Sequence, residues 1–197
     1  MPYPSQWKRF CEWNRVNKKA LPSHIDLPEI NRFAARYRLA SGFESLNVKG
    51  FRQELTIKGY GATLKVFLAY TALEQLHKAS KSKRHLHEHF GKVQPDLAVK
   101  LRETPSILTF LSEQLESRML RQKLQEFVEE KHDVCLYVAT ALRHAFSHGF
   151  LSVHANNTTP QQTIMFCENL SNMLIDLADR EFSKITESLY KEIDGIQ

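Results

Sequence analysis

The sequence predicts an all-α protein, an up-and-down bundle of four main helices with extra helices at its N-terminus. Three observations carry this. Apolar residues recur at the three-to-four spacing of a helix through most of the chain. Helix-start and helix-stop residues punctuate it at Pro22, Pro28, Pro105, Gly149 and Thr159-Pro160. There is also no internal repeat and no low-complexity tail. At 197 residues the chain can bury a core without disulfides or a structural metal. Residues 1–60 read as an N-terminal helical extension packing on the bundle. Residues 61–197 read as the bundle domain, with a polar connector at about 80–104.

The elements follow in order. Helical stretches are predicted over about 5–17 and 28–42, the second opening after Pro22 and Pro28 and carrying Ile30, Phe33, Ala34, Tyr37 and Leu39. Residues 43–60 are less regular, and "QELTIKGYG" has room for a short extended piece before its glycines. A strong helix runs from Thr63, with Leu64, Phe67, Leu68, Thr71 and Glu74 on neighbouring turns. The connector is polar and His-rich, with a short helix at 96–102. Pro105 opens one long helix, or two joined at about Ser117. "DVCLYVATALRHAFSH" is a further helix closed by Gly149 at the C′ position. The last helix has the clearest start: Thr159 at the N-cap, Pro160 at the first position and Gln162 as the reciprocal capping residue. Its stripe is Ile164, Cys167, Leu170, Leu174, Leu177 and Phe182.

Composition narrows the function classes. Lys and Arg number 27 against 22 Asp and Glu, a net charge of +5. That excess permits contact with phosphates, but the basic residues are dispersed, the densest run being "HKASKSKRH" at 77–85. Three widely spaced cysteines, Cys11, Cys135 and Cys167, without a CxxC pair, argue against a disulfide framework. The start "MPYPSQWKRF" holds no signal-peptide core, and no apolar run is long enough to span a bilayer. The expectation is a protein of the cytoplasm, with no membrane association.

The chemistry concentrates in "RHAFSH", where Arg143, His144 and His148 sit at the end of an apolar helix. At about 100° per residue, His144 and His148 are about 40° apart and share a face, whereas Arg143 and His148 are about 140° apart. The second pair converges only if the helix bends or frays, which Gly149 permits. One reading is an HxxxH metal pair, although no third ligand and no following Glu are evident. Another is a helix C-terminus whose cations meet the last carbonyls.

The third reading rests on a resemblance. Arg143-x4-His148, with a polar residue directly after the arginine, in a long apolar helix followed by a polar turn and a last long helix, resembles the Rx4-6H motif of the HEPN family. "LAYTALEQL" resembles that family's second bundle helix, whose acidic residue Glu74 matches. The likeness covers about 60–190. It departs at His144, where Asn is frequent. It implies a HEPN-like bundle and metal-independent endoribonuclease activity, with no cofactor, in a homodimer whose two motifs face each other. A toxin or defence role, with an antitoxin or nucleotidyltransferase partner, belongs to the same family picture. So does a non-catalytic alternative, a dimeric module binding nucleotide, RNA or a protein partner.

Residue types suit the first of these. Transesterification takes a proton from a ribose 2′-OH and delivers one to the departing 5′-oxygen, which imidazoles do near neutral pH. A guanidinium suits the charge built up on the phosphorane. His148 is then the acid–base group and Arg143 the phosphate holder. His144 orients one of them or moves a second proton, and Glu74 positions Arg143 or a histidine. Ser147 and His154 complete the set as substrate-contacting residues, His154 reading equally as a surface loop histidine.

Other candidates have plainer readings. His85, His87 and His89 in "HLHEHF" would share a face on a strand but fan out in a helix, and read as a solvated connector. "KGYGAT" reads as the start of a helix rather than a phosphate turn. Trp7, Trp13, Phe33 and Tyr37 can stack on bases, yet their spacing favours packing onto the bundle. Cys135 and Cys167 read as small core residues.

Overall fold

The computed structural model describes residues 3–17, 25–50, 53–148 and 158–194. These form nine helices and no strand: α1 (Trp7–Val16), α2 (Leu27–Ser41), α3 (Glu54–Ala79), α4 (Leu86–Phe90), α5 (Pro95–Arg102), α6 (Pro105–Gln114), α7 (Arg118–Val128), α8 (Leu136–Ser147) and α9 (Pro160–Asp194). No described helix is long and apolar enough to cross a membrane.

The axis of the fold is α3. Val66, Ala69, Tyr70, Leu73 and Leu76 are buried on it, and so are Thr63, Ala72 and Gln75. A helix apolar on every side packs on several neighbours at once. The expected stripe of Leu64, Phe67, Leu68, Thr71 and Glu74 is only its half-buried flank. Asp26 N–H donates to the Ala79 carbonyl at 3.3 Å, and Arg36 donates to that of Thr71 at 3.3 Å, so α2 runs antiparallel to α3. Helix α8 is also antiparallel, with Phe67 against Phe146 at 5.1 Å and the Tyr70 hydroxyl 3.0 Å from that of Thr140. Thr63 meets Cys167 of α9 at 3.7 Å. Towards the other end of α9, Glu181 holds Lys92 at 3.0 Å, just beyond α4, whose His89 lies against His77 of α3 at 5.3 Å. Helix α9 therefore runs parallel to α3.

Two expectations about the N-terminal third need correction. "QELTIKGYG" is helical rather than extended, since α3 begins at Glu54. Its glycines are buried, and a Cβ on Gly61 would make only ordinary van der Waals contact with the Leu46 Cβ, at 3.6 Å. Burial of α3's apolar side chains offsets the roughly 1 kcal/mol each glycine costs a helix. A boundary at residue 60 consequently falls inside α3. Residues before it supply core: Phe10 of α1 and Phe33 of α2 meet Phe182 of α9 at 5.7 and 5.3 Å, and Trp13 meets Tyr190 at 6.1 Å. Phe182 is fully buried, and its truncation to alanine costs about 3–5 kcal/mol.

Beyond α3, breakers and caps place the elements. Pro95 and Pro105 open α5 and α6. Ser117 divides the 105–129 stretch into two helices, its hydroxyl accepting from Leu120 N–H at 3.3 Å. Thr159 caps α9 as expected: Gln162 N–H donates to its hydroxyl at 3.3 Å, and the Gln162 side chain accepts from Thr159 N–H at 3.0 Å. The connector is more structured than a solvated link. His85 stays exposed, but His87 and His89 are half-buried. They fan out from α4, His87 stacking on Tyr137 of α8 at 4.6 Å. Cys135 and Cys167 lie in the core.

Arg102 locks the approach to α8. Its guanidinium donates to the carbonyls of Phe127 (2.8 Å) and His132 (2.9 Å) and to Asp133 Oδ1 (2.8 Å). It also lies 4.5 Å over the Phe127 ring. One planar fork thus holds three oxygens, the Phe127 carbonyl also accepting from Glu130 N–H at 3.2 Å.

Candidate functional site

Helix α8 is built to bury one side and present the other at its end. Leu136, Val138, Ala139, Ala141, Leu142 and Ala145 are buried. The last turn carries Arg143, His144, Ser147 and, as its C-cap, His148. His148 N–H donates to the His144 carbonyl at 3.1 Å, so the helical path holds through the motif. The bend expected at its end is therefore not found up to residue 148. Arg143 and His148 keep the divergence of about 140° that a straight helix imposes.

The candidate residues fall into two pairs. Arg143 Nη2 lies 3.5 Å from Glu74 Oε1 on α3, both side chains 37% exposed. His144 and His148 bring their rings to 4.3 Å, tilted 45°, as the four-residue spacing requires. His144 Nε2 and Arg143 Nε are both buried without a hydrogen-bond partner. The Ser147 hydroxyl donates back to the Arg143 carbonyl at 2.8 Å, which occupies its proton locally. His154 and Gly149 lie outside the described residues.

Beneath the ion pair lies a polar cluster that sequence reasoning missed. Tyr70 and Glu74 are one turn apart on α3, and Thr140 and Arg143 one turn apart on α8. The Thr140 hydroxyl is 3.0 Å from that of Tyr70 and 2.7 Å from His87 Nε2, and it donates to the Leu136 carbonyl at 2.8 Å. A hydroxyl has one proton and two lone pairs. With the proton given to Leu136, Tyr70 O–H and His87 Nε2–H must both donate to Thr140. Burial pushes the Tyr70 phenol up to about 12, helped by the Glu74 carboxylate and opposed by the Thr140 bond and Arg143. Tyr70 is thus a neutral donor. Burial holds His87 below the usual imidazole value, with the neighbouring His85 adding to it and Glu88 opposing. The usable sequence signal was that Tyr70 precedes Glu74, and Thr140 precedes Arg143, by one helical turn.

Among the described residues no group of three His, Cys, Asp or Glu side chains is placed to hold a metal ion. The HxxxH pair accordingly has no third ligand there. Comparison of the chain with protein-family models, with curated proteins and with solved structures finds no match.

Proposed function

We propose that the chain is a HEPN-like metal-independent endoribonuclease, cleaving RNA by attack of a 2′-OH on the adjacent phosphate. The observation that carries this is the pair of imidazoles, His144 and His148, 4.3 Å apart on the last turn of α8. Transesterification moves two protons, and two neighbouring imidazoles supply one base and one acid near neutral pH. His148, the exposed member, takes or delivers the proton at the substrate, and His144 serves the second transfer. Arg143, half exposed beside them, holds the scissile phosphate and the charge that builds on it. Glu74 orients the guanidinium.

Because α8 stays helical to its cap, one copy does not direct Arg143 and His148 to a single point. The reading therefore includes a homodimer in which two α8 ends meet across a two-fold axis. The arginine of one copy then complements the imidazoles of the other.

A second reading, a non-catalytic dimeric module binding RNA or nucleotide, is favoured by one feature. Glu74 already neutralises Arg143 at 3.5 Å. Incubation of labelled RNA with the protein in EDTA separates the two. The enzyme yields products ending in a 2′,3′-cyclic phosphate, lost in Arg143→Ala and in His148→Ala while circular dichroism stays native. The binding module protects RNA without turnover. Cleavage by both variants at the wild-type rate removes the catalytic assignment.

A further inference from the structure

We propose that Tyr70 is a positioning residue for the α8 site, its hydroxyl setting, through Thr140, where Arg143 stands against Glu74. This rests on the reading of Arg143 as the phosphate-holding group. The geometry is the argument. Tyr70 is 3% exposed, and its hydroxyl is 3.0 Å from the Thr140 hydroxyl across the α3–α8 seam. Because the helices are antiparallel, Glu74 stands one turn to one side of this contact and Arg143 one turn to the other, and their side chains meet 3.5 Å apart across it. Apolar contacts such as Phe67 on Phe146 resist separation of the two helices but tolerate sliding. A hydroxyl pair does not, because a hydrogen bond weakens steeply with displacement and misalignment.

Thr140 is well placed for this duty because all its bonding capacity is committed. It gives its proton to Leu136 and receives those of Tyr70 and His87. The hub thereby joins three elements, α3, α4 and α8. The Tyr70 hydroxyl lies close enough to Glu74 and Arg143 for both charges to act on it. Its raised pKa keeps the phenol protonated at every pH at which imidazoles titrate, so Tyr70 is suited to holding and not to proton transfer. The unpartnered Nε of Arg143 marks a guanidinium held from one end only, and so dependent on how α3 and α8 are registered.

Three variants test this: Tyr70→Phe, Thr140→Val and Thr140→Ser. Tyr70→Phe and Thr140→Val should lower kcat for RNA cleavage by roughly tenfold or more with KM changed less than about twofold, since misplacing a transition-state group costs turnover. Thr140→Ser keeps the hydroxyl and should return to near the wild-type rate. Combining Tyr70→Phe with Arg143→Ala should be no worse than Arg143→Ala alone. The ¹⁵N-resolved Arg143 Nε–H signal of the RNA-free protein should shift or broaden in Tyr70→Phe. If that signal and kcat are both unchanged in Tyr70→Phe, the positioning role is overturned. If Arg143→Ala cleaves normally, or the wild type cleaves nothing, yet the Nε–H signal responds to Tyr70→Phe, the nuclease reading falls and the positioning of Arg143 by Tyr70 stands. A Tyr70→Phe protein that merely melts earlier, with the Arg143 signal in place, also overturns it.

Discussion

The Glu74–Arg143 pair makes a quantitative distinction between a structural and a functional arginine. At 3.5 Å two unit charges attract by about 1 kcal/mol in bulk water. Both side chains are 37% exposed, so solvent screening and lost rotamer freedom reduce the net value to about 0.2–1 kcal/mol. A double-mutant cycle of Glu74→Gln and Arg143→Ala, read by urea unfolding, should return a coupling in that range. It should shrink towards zero at 1 M salt, where the screening length falls to about 3 Å. Against that small effect, Arg143→Ala should lower kcat/KM for RNA by about a hundredfold or more, about 2.7 kcal/mol, the size of a lost transition-state donor. A coupling above about 2 kcal/mol that resists salt would make the pair a structural bridge. The account of Arg143 as a group available to phosphate would then be refuted.

Other outcomes are fixed by parts of the fold away from that pair. Arg102→Met removes the fork that holds Phe127, His132 and Asp133, and should cost about 1–3 kcal/mol in chemical unfolding; a loss under about 0.5 kcal/mol contradicts the clamp. His87 and His89 are both held below the ordinary imidazole value, chiefly by burial. The unfolded chain therefore takes up protons first, and stability should fall as pH drops below about 6.5. A melting temperature flat from pH 7.5 to 5.5, or an undiminished slope in a His87→Gln, His89→Gln variant, would contradict this. Burial pushes the thiols of Cys135 and Cys167 to about 12, whereas Cys11 is exposed. A disulfide reagent at pH 8 should thus titrate Cys11 rapidly in the native protein, and all three cysteines only after denaturation.

Local signals were legible where the cause is local. The Thr159–Gln162 box placed α9 and Pro105 placed the start of α6, while of the two readings of the following stretch the break at Ser117 is the one found. Helix α3 reads too short in sequence because Gly59 and Gly61 count against a helix in isolation, and only burial of its side chains among the neighbouring helices reverses that. The histidines of α4 looked solvated because nothing nearby in sequence announces Tyr137 and Thr140, the partners that half-bury His87. In the candidate site, helical spacing alone brought His144 to His148. The resemblance sets Glu74 against Arg143 or a histidine, and the structure pairs it with Arg143; nothing in the sequence pairs Tyr70 with Thr140 in the hub beneath it.

The sequence by itself determined that this chain is helical, where most of its helices begin and end, and which side chains share the last turn of α8. Those outcomes follow from backbone geometry and caps acting within a few residues. Only the tertiary structure decided which face of α3 is buried, that residues before 60 belong to the core, and that α8 stays helical to its cap at His148 with Arg143 turned to Glu74. These depend on contacts between segments far apart in the chain, whose energies exceed any single residue's conformational preference.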